Sequence, residues 1–146
     1  MGLIISYEVF SITEQLATVL QTKQITLSAA RSNAMIVVAT LKKMRCIEEF
    51  DIIWQKISQS AGQFELSEPV LPKQRKPPRR LDQGDPPYAY PDCVTYHRVE
   101  SWFSFLDTVG HEIEERFSQE CLKPIEAIEI VLLHAAKGLP INSELN

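Results

Sequence analysis

The chain has 146 residues, of which 45% are apolar, and it carries a formal net charge of −4. This length suits one domain, and the acidic balance argues against a general nucleic-acid-binding protein because nucleic-acid phosphates repel it. Three scattered cysteines exclude a disulfide framework and are typical of a reducing compartment, so we expect an intracellular protein.

The first residues predict a helix that begins the N-terminal block, residues 1–64. Leu3, Tyr7 and Phe10 recur at helical spacing, and a capping-box pattern over residues 11–14 predicts that the helix restarts there. The first ten residues contain no basic leader and no small-residue cleavage site, so we expect no signal peptide. The longest purely apolar run, residues 34–39, is too short to span a membrane.

A long helix is predicted next, over residues 27–62, with a bend near Cys46. Thr26 is a suitable N-cap, and two apolar stripes follow it at alternating steps of three and four residues. The first stripe consists of Leu27, Ala30, Ala34, Val37, Leu41 and Met44, and the second of Ile47, Phe50, Trp54, Ile57 and Ala61.

Residues 65–93 predict a long, proline-rich connector. Seven of the nine prolines lie between residues 69 and 92. Because proline has no backbone N–H and its ring fixes φ, neither a helix nor a central strand is expected to cross this segment. This connector contains a basic segment, residues 73–80, whose five positive charges are Lys73, Arg75, Lys76, Arg79 and Arg80. Outside the basic segment the chain has ten basic and nineteen acidic residues, so the remainder of the protein is acidic.

The C-terminal block, residues 94–146, is also predicted to be helical. It begins near Asp92 or Thr95 and shows a strong apolar face: Val99, Trp102, Phe103, Leu106, Val109, Ile113 and Phe117. A last helix is expected to open at Lys123 and Pro124, to carry an apolar row (Ile125, Ile128, Val131, Leu132 and Ala135), and to end at Gly138. We therefore predict an all-α fold, an irregular bundle of about four to six helices in two blocks.

Three arrangements of reactive side chains were weighed, and none predicts a catalytic, metal or cofactor site. Cys93 and His97 lie four residues apart, but no second pair of ligands has a matching spacing. Ser104, Asp107 and His111 follow helical spacing without an oxyanion hole, so a solvated helix face explains them better than a triad. Three of the five aspartates lie in the connector, which is a weak platform for metal-dependent catalysis.

The basic segment has three open interpretations: a solvated linker against the acidic body, a phosphate-binding site, or a nuclear import signal. Phosphate binding would give a nucleic-acid affinity that falls steeply as salt rises. An import signal places the protein in the nucleus rather than the cytoplasm.

Four sequence runs occur in an order that resembles a known family: LATVLQTKQITLSAA, ATLKKMRCIEEFDIIWQK, LPKQRKPPRRLD and YHRVESWFSFLDTVGHEIEERF. They are similar to the helical region of hAT-superfamily transposase-derived proteins, including those similar to zinc finger MYM-type protein 1 and the 52-kDa repressor of the inhibitor of the protein kinase. The matching positions are Leu20–Gln21, Arg45, Pro72 with Arg75, Tyr96 with Arg98, Leu106–Asp107, and Arg116–Phe117.

The resemblance implies a non-catalytic part of such a protein, because the family's acidic catalytic residues flank this helical insertion and none has a counterpart here. We expect a protein-interaction module that binds a second copy of itself or another protein through apolar helix faces. We expect it neither to bind a cofactor nor to associate with a membrane. Trp54, Trp102, Phe103 and Leu106 are the candidate core or interaction residues. The alternative is a small nucleic-acid-associated nuclear factor that contacts phosphates through the basic segment.

Overall fold

The computed structural model describes residues 1–23, 25–67, 69–72 and 90–138, and this part of the chain is all-α, as predicted, with no strand. The elements are α1 (Gly2–Leu20), α2 (Leu27–Met44), α3 (Ile47–Gln63), α4 (Cys93–Tyr96), a π-helical segment (His97–Phe103), α5 (Ser104–Arg116) and α6 (Gln119–Ala136). Most of the predicted connector, including the basic segment, lies outside the described residues.

The predicted restart within the first helix is wrong, because α1 runs without interruption. Ser11 does not act as a cap but donates its hydroxyl to the carbonyl of Glu8 at 2.8 Å, one turn earlier. That bond satisfies the serine inside a helix. Ile5, Val9 and Leu16 meanwhile continue one buried stripe past it, so packing favours a continuous helix.

The predicted long helix is instead two helices, α2 and α3. Thr26 caps α2 as predicted, accepting the amide of Ala29. The helix ends at Arg45, and Cys46 adopts an extended conformation before α3 begins. Arg45 leaves the helical path to pair with Asp107 at 2.7 Å and to lie over the Phe103 ring at 4.8 Å. Glu48 and Glu49 in the first turn of α3 favour a new helix start there.

Asp92 begins the second block as predicted, because its carboxylate accepts the amide of Thr95 at 2.7 Å. From Cys93 to Arg116 the backbone stays helical, but its hydrogen bonding widens to the π pattern over His97–Phe103. A π segment shifts the side chains that follow it around the helix axis and is frequent at functional sites. In this protein Trp102, within the π segment, and Leu106, just after it, both point into the core and are buried.

The last helix begins earlier than predicted. Ser118 caps α6 by accepting the amide of Cys121 at 3.3 Å, so Pro124 lies inside the helix rather than at its start. The cap and the burial of Leu122 outweigh the hydrogen bond that proline cannot donate. Lys137 and Gly138 end the helix as predicted, with Gly138 at a φ of 66°.

One hydrophobic core joins the two blocks. Within the described residues its buried members are Ile5, Val9, Leu16, Ala34, Val37, Leu41, Phe50, Ile53, Ile57, Trp102 and Leu106. The helix α2 lies at its centre, in contact with α1 on one side and α5 on the other. Surface ion pairs also cross between elements, Lys42 with Glu114 at 2.5 Å and Lys56 with Glu8 at 2.7 Å. The described parts of both blocks therefore fold as one unit.

Candidate interaction surface

The four candidate core or interaction residues form core rather than open surface. Trp102 and Leu106 are buried, and Phe103 is covered in part by the Arg45 guanidinium. Trp54 is half-buried and packs against Phe50, with ring centroids 5.7 Å apart. These aromatic side chains thus fill the junction of the two blocks and leave little apolar area for a partner.

His97 is buried in an aromatic cluster on the π-helical segment. Its ring stacks on Trp54 at 6.0 Å and meets Tyr96 edge-on at 5.0 Å. Nδ1 lies 3.2 Å from the Ser101 hydroxyl, whereas Nε2 has no hydrogen-bond partner. Burial lowers the pKa of His97, and the nearby Val70 carbonyl opposes this shift without reaching hydrogen-bonding geometry to Nε2.

This environment predicts a pH-dependent stability. The unfolded histidine titrates near about pH 6.5. Because its folded pKa is lower, the unfolded chain binds more protons below that pH. The free energy of unfolding should therefore fall as the pH drops from about 6.5 toward the folded pKa, and His97 should contribute nothing to this slope at higher pH.

The measurement is urea denaturation across that pH range for the wild type, His97→Phe and His111→Phe. We expect His97→Phe to flatten the slope, whereas His111→Phe, at an exposed position, should follow the wild type. If the free energy of unfolding changes with pH equally in the wild type and in His97→Phe, the His97 ring does not cause the pH dependence.

The other side chains considered as metal ligands or triad members, Cys93, Asp107 and His111, make structural contacts instead. The Cys93 thiol donates to the carbonyl of Pro69 at 3.0 Å, and burial, followed by the Asp92 carboxylate, raises the pKa of Cys93. The retained proton makes this thiol a poor nucleophile and metal ligand. Asp107 pairs with Arg45, and His111 lies 4.0 Å from Glu115. The described residues contain no group of three or more potential metal ligands.

An open apolar groove lies between the start of α2 and the outer face of α6. Its volume is 540 Å³. The lining residues are Ile25, Thr26, Leu27, Ala30, Ile125, Ile128, Glu129, Leu132, Leu133 and Ala136. Ile128 and Leu132 remain 58% and 64% exposed, and Leu122 is the one buried residue of α6. We call this feature the α2–α6 groove.

Opposite α6 the groove is lined by Ile25, Leu27 and Ala30, and these side chains leave the apolar face of α6 largely uncovered. The sequence analysis placed Ile125, Ile128 and Leu132 in the apolar row of the last helix, and in the structure these three side chains are about half exposed or more.

A second apolar surface lies on α1. Leu3 and Tyr7 are strongly exposed, whereas Phe10 packs edge-on against Phe105 at 5.9 Å. By length and composition α1 is the helix, among those described, that is able to cross a membrane. Its inner side chains are buried in the core, and its Glu8 pairs with Lys56.

Comparisons with known proteins add no relative: no family model matches the chain, and neither curated proteins nor solved structures give a match. The family resemblance therefore stays a prediction from the sequence runs.

Proposed function

We propose that this chain is a non-catalytic, helical interaction module that binds a protein partner in the α2–α6 groove. The observation that carries the proposal is the exposed apolar row of α6. Fully burying one leucine or isoleucine side chain contributes roughly 1.5–3 kcal/mol, so residues left more than half exposed retain much of that free energy for binding. An apolar centre is typical of the fully buried part of a protein interface.

We further propose that the module descends from the helical region of a hAT-superfamily transposase-derived protein. The order of the four sequence runs supports this origin. In such a protein the helical region packs beside a catalytic core, and an apolar face without its own cover in this chain fits a module that once had a larger neighbour.

Site-specific photocrosslinking tests the proposed binding surface. Leu132 is replaced by a benzophenone-bearing phenylalanine in the full chain, expressed in cells and irradiated. The groove position should give one discrete adduct on denaturing gels, because a bound partner holds its side chains within reach of the probe.

The matched control carries the same probe at Gln55, an exposed position on α3. It should give no discrete adduct. The proposed function is rejected if position 132 gives no adduct, or the same adducts as position 55.

A further inference from the structure

We infer that the partner in the α2–α6 groove is a second copy of this chain, whose α6 packs antiparallel to the first. This inference rests on the proposed function and names its partner. An occupant must present an apolar helix about as long as α6, which has 18 residues and is therefore ~27 Å long. The exposed row of α6, with Ile125, Ile128 and Leu132, is itself such a surface.

The charges of α6 are complementary to those of an antiparallel copy. Its first eleven residues contain three acidic residues, Glu120, Glu126 and Glu129, and one basic residue, Lys123, whereas Lys137 lies at its C-terminal end. Within the described residues, neither Glu126 nor Lys137 takes part in an ion pair. Both charges are thus available to a partner at the edge of the groove.

Helix geometry places Glu126 and Lys137 on the same flank of the apolar row. They are eleven residues apart, which is about three turns, so their side chains point in nearly the same direction. Two antiparallel α6 helices are related by a two-fold axis that is perpendicular to both helix axes. This axis reverses the chain direction, but it leaves the flank with Glu126 and Lys137 on the same side of the interface in both copies. Glu126 of one copy then faces Lys137 of the second copy, twice per dimer.

This pairing fixes the register. The axis passes between Val131 and Leu132, so the Leu132 side chains of the two copies, which both lie on the groove face, meet close to the axis. A parallel copy, related by a two-fold axis along the helices, would instead put the flank with Glu126 and Lys137 on opposite sides of the interface, so these opposite charges would not meet. The charge pattern thus selects the antiparallel copy.

Sedimentation velocity across a concentration series tests the inference on the full chain. The wild type should show a concentration-dependent dimer. Glu126→Lys and Lys137→Glu should each raise the dissociation constant by about tenfold, because two like-charge contacts replace two attractive ones. The double variant, with both charges exchanged, should restore the dissociation constant to within about threefold of the wild type.

Asp51→Lys is the control, since it makes the same charge change at an exposed position of α3 and should leave the dimer unchanged. A monomeric wild type, single variants that bind normally, or a double variant that is not restored would each overturn the inference. If the chain is monomeric but position 132 still crosslinks a different protein, self-docking is overturned and the proposed function stands.

Discussion

Replacing Trp102 by alanine should lower the free energy of unfolding by about 3–5 kcal/mol, a large share of the roughly 5–15 kcal/mol typical of a domain. Trp102 is fully buried at the junction of the two blocks, so the variant leaves a cavity in the one core that both share. Urea denaturation followed by circular dichroism measures the loss without relying on tryptophan fluorescence.

Trp102→Phe separates the ring's packing from its polar group. The Trp102 Nε1 group is buried without a hydrogen-bond partner, and such a group costs about 1–3 kcal/mol. Phenylalanine removes that cost while filling most of the space, so we expect a loss of ~1 kcal/mol or less. Phe64→Ala, at an exposed position, is the control and should stay within about 0.5 kcal/mol of the wild type. A Trp102→Ala variant as stable as this control would contradict the shared core.

Ala34→Asp should unfold the chain at room temperature. Ala34 has no exposed surface and lies in the core on α2, so a carboxylate there loses its hydration without gaining a partner. This desolvation costs several kcal/mol, which is comparable to the whole stability of a small domain. The measurement is the helical signal in circular dichroism and its thermal midpoint.

Ala39→Asp is a matched control on the same helix at an exposed position. Both variants carry the same modest penalty for aspartate in a helix, about 0.5 kcal/mol, so the difference between them reports burial alone. If both variants melt at the same temperature, the assignment of Ala34 to the core fails.

The sequence was sufficient for the helices because apolar spacing and capping residues act locally. Thr26, Asp92 and Gly138 were each predicted as helix ends and are found there. The boundaries that were missed depend on distant contacts. Arg45 leaves the helix for Asp107 and Phe103, which lie about sixty residues later, and no local pattern indicates that attraction.

The candidate surface was harder to predict for a related reason. Periodicity indicates which side of a helix is apolar but not whether another element covers it. The rows containing Trp102 and Leu132 are both apolar in sequence, yet the first is buried in the shared core and the second lines an open groove. Whether another element lies over the row decides between these outcomes, and that is a property of the folded chain.

The most direct test of this account is the thermal unfolding of Ile128→Glu/Leu132→Glu, measured by circular dichroism at a concentration where the chain is monomeric. If the outer row of α6 is a binding surface, the double variant should keep the helix content and thermal midpoint of the wild type, because its new carboxylates remain in water. A loss of helix content or a midpoint as low as that of Trp102→Ala would place these residues in the core and contradict the proposed function.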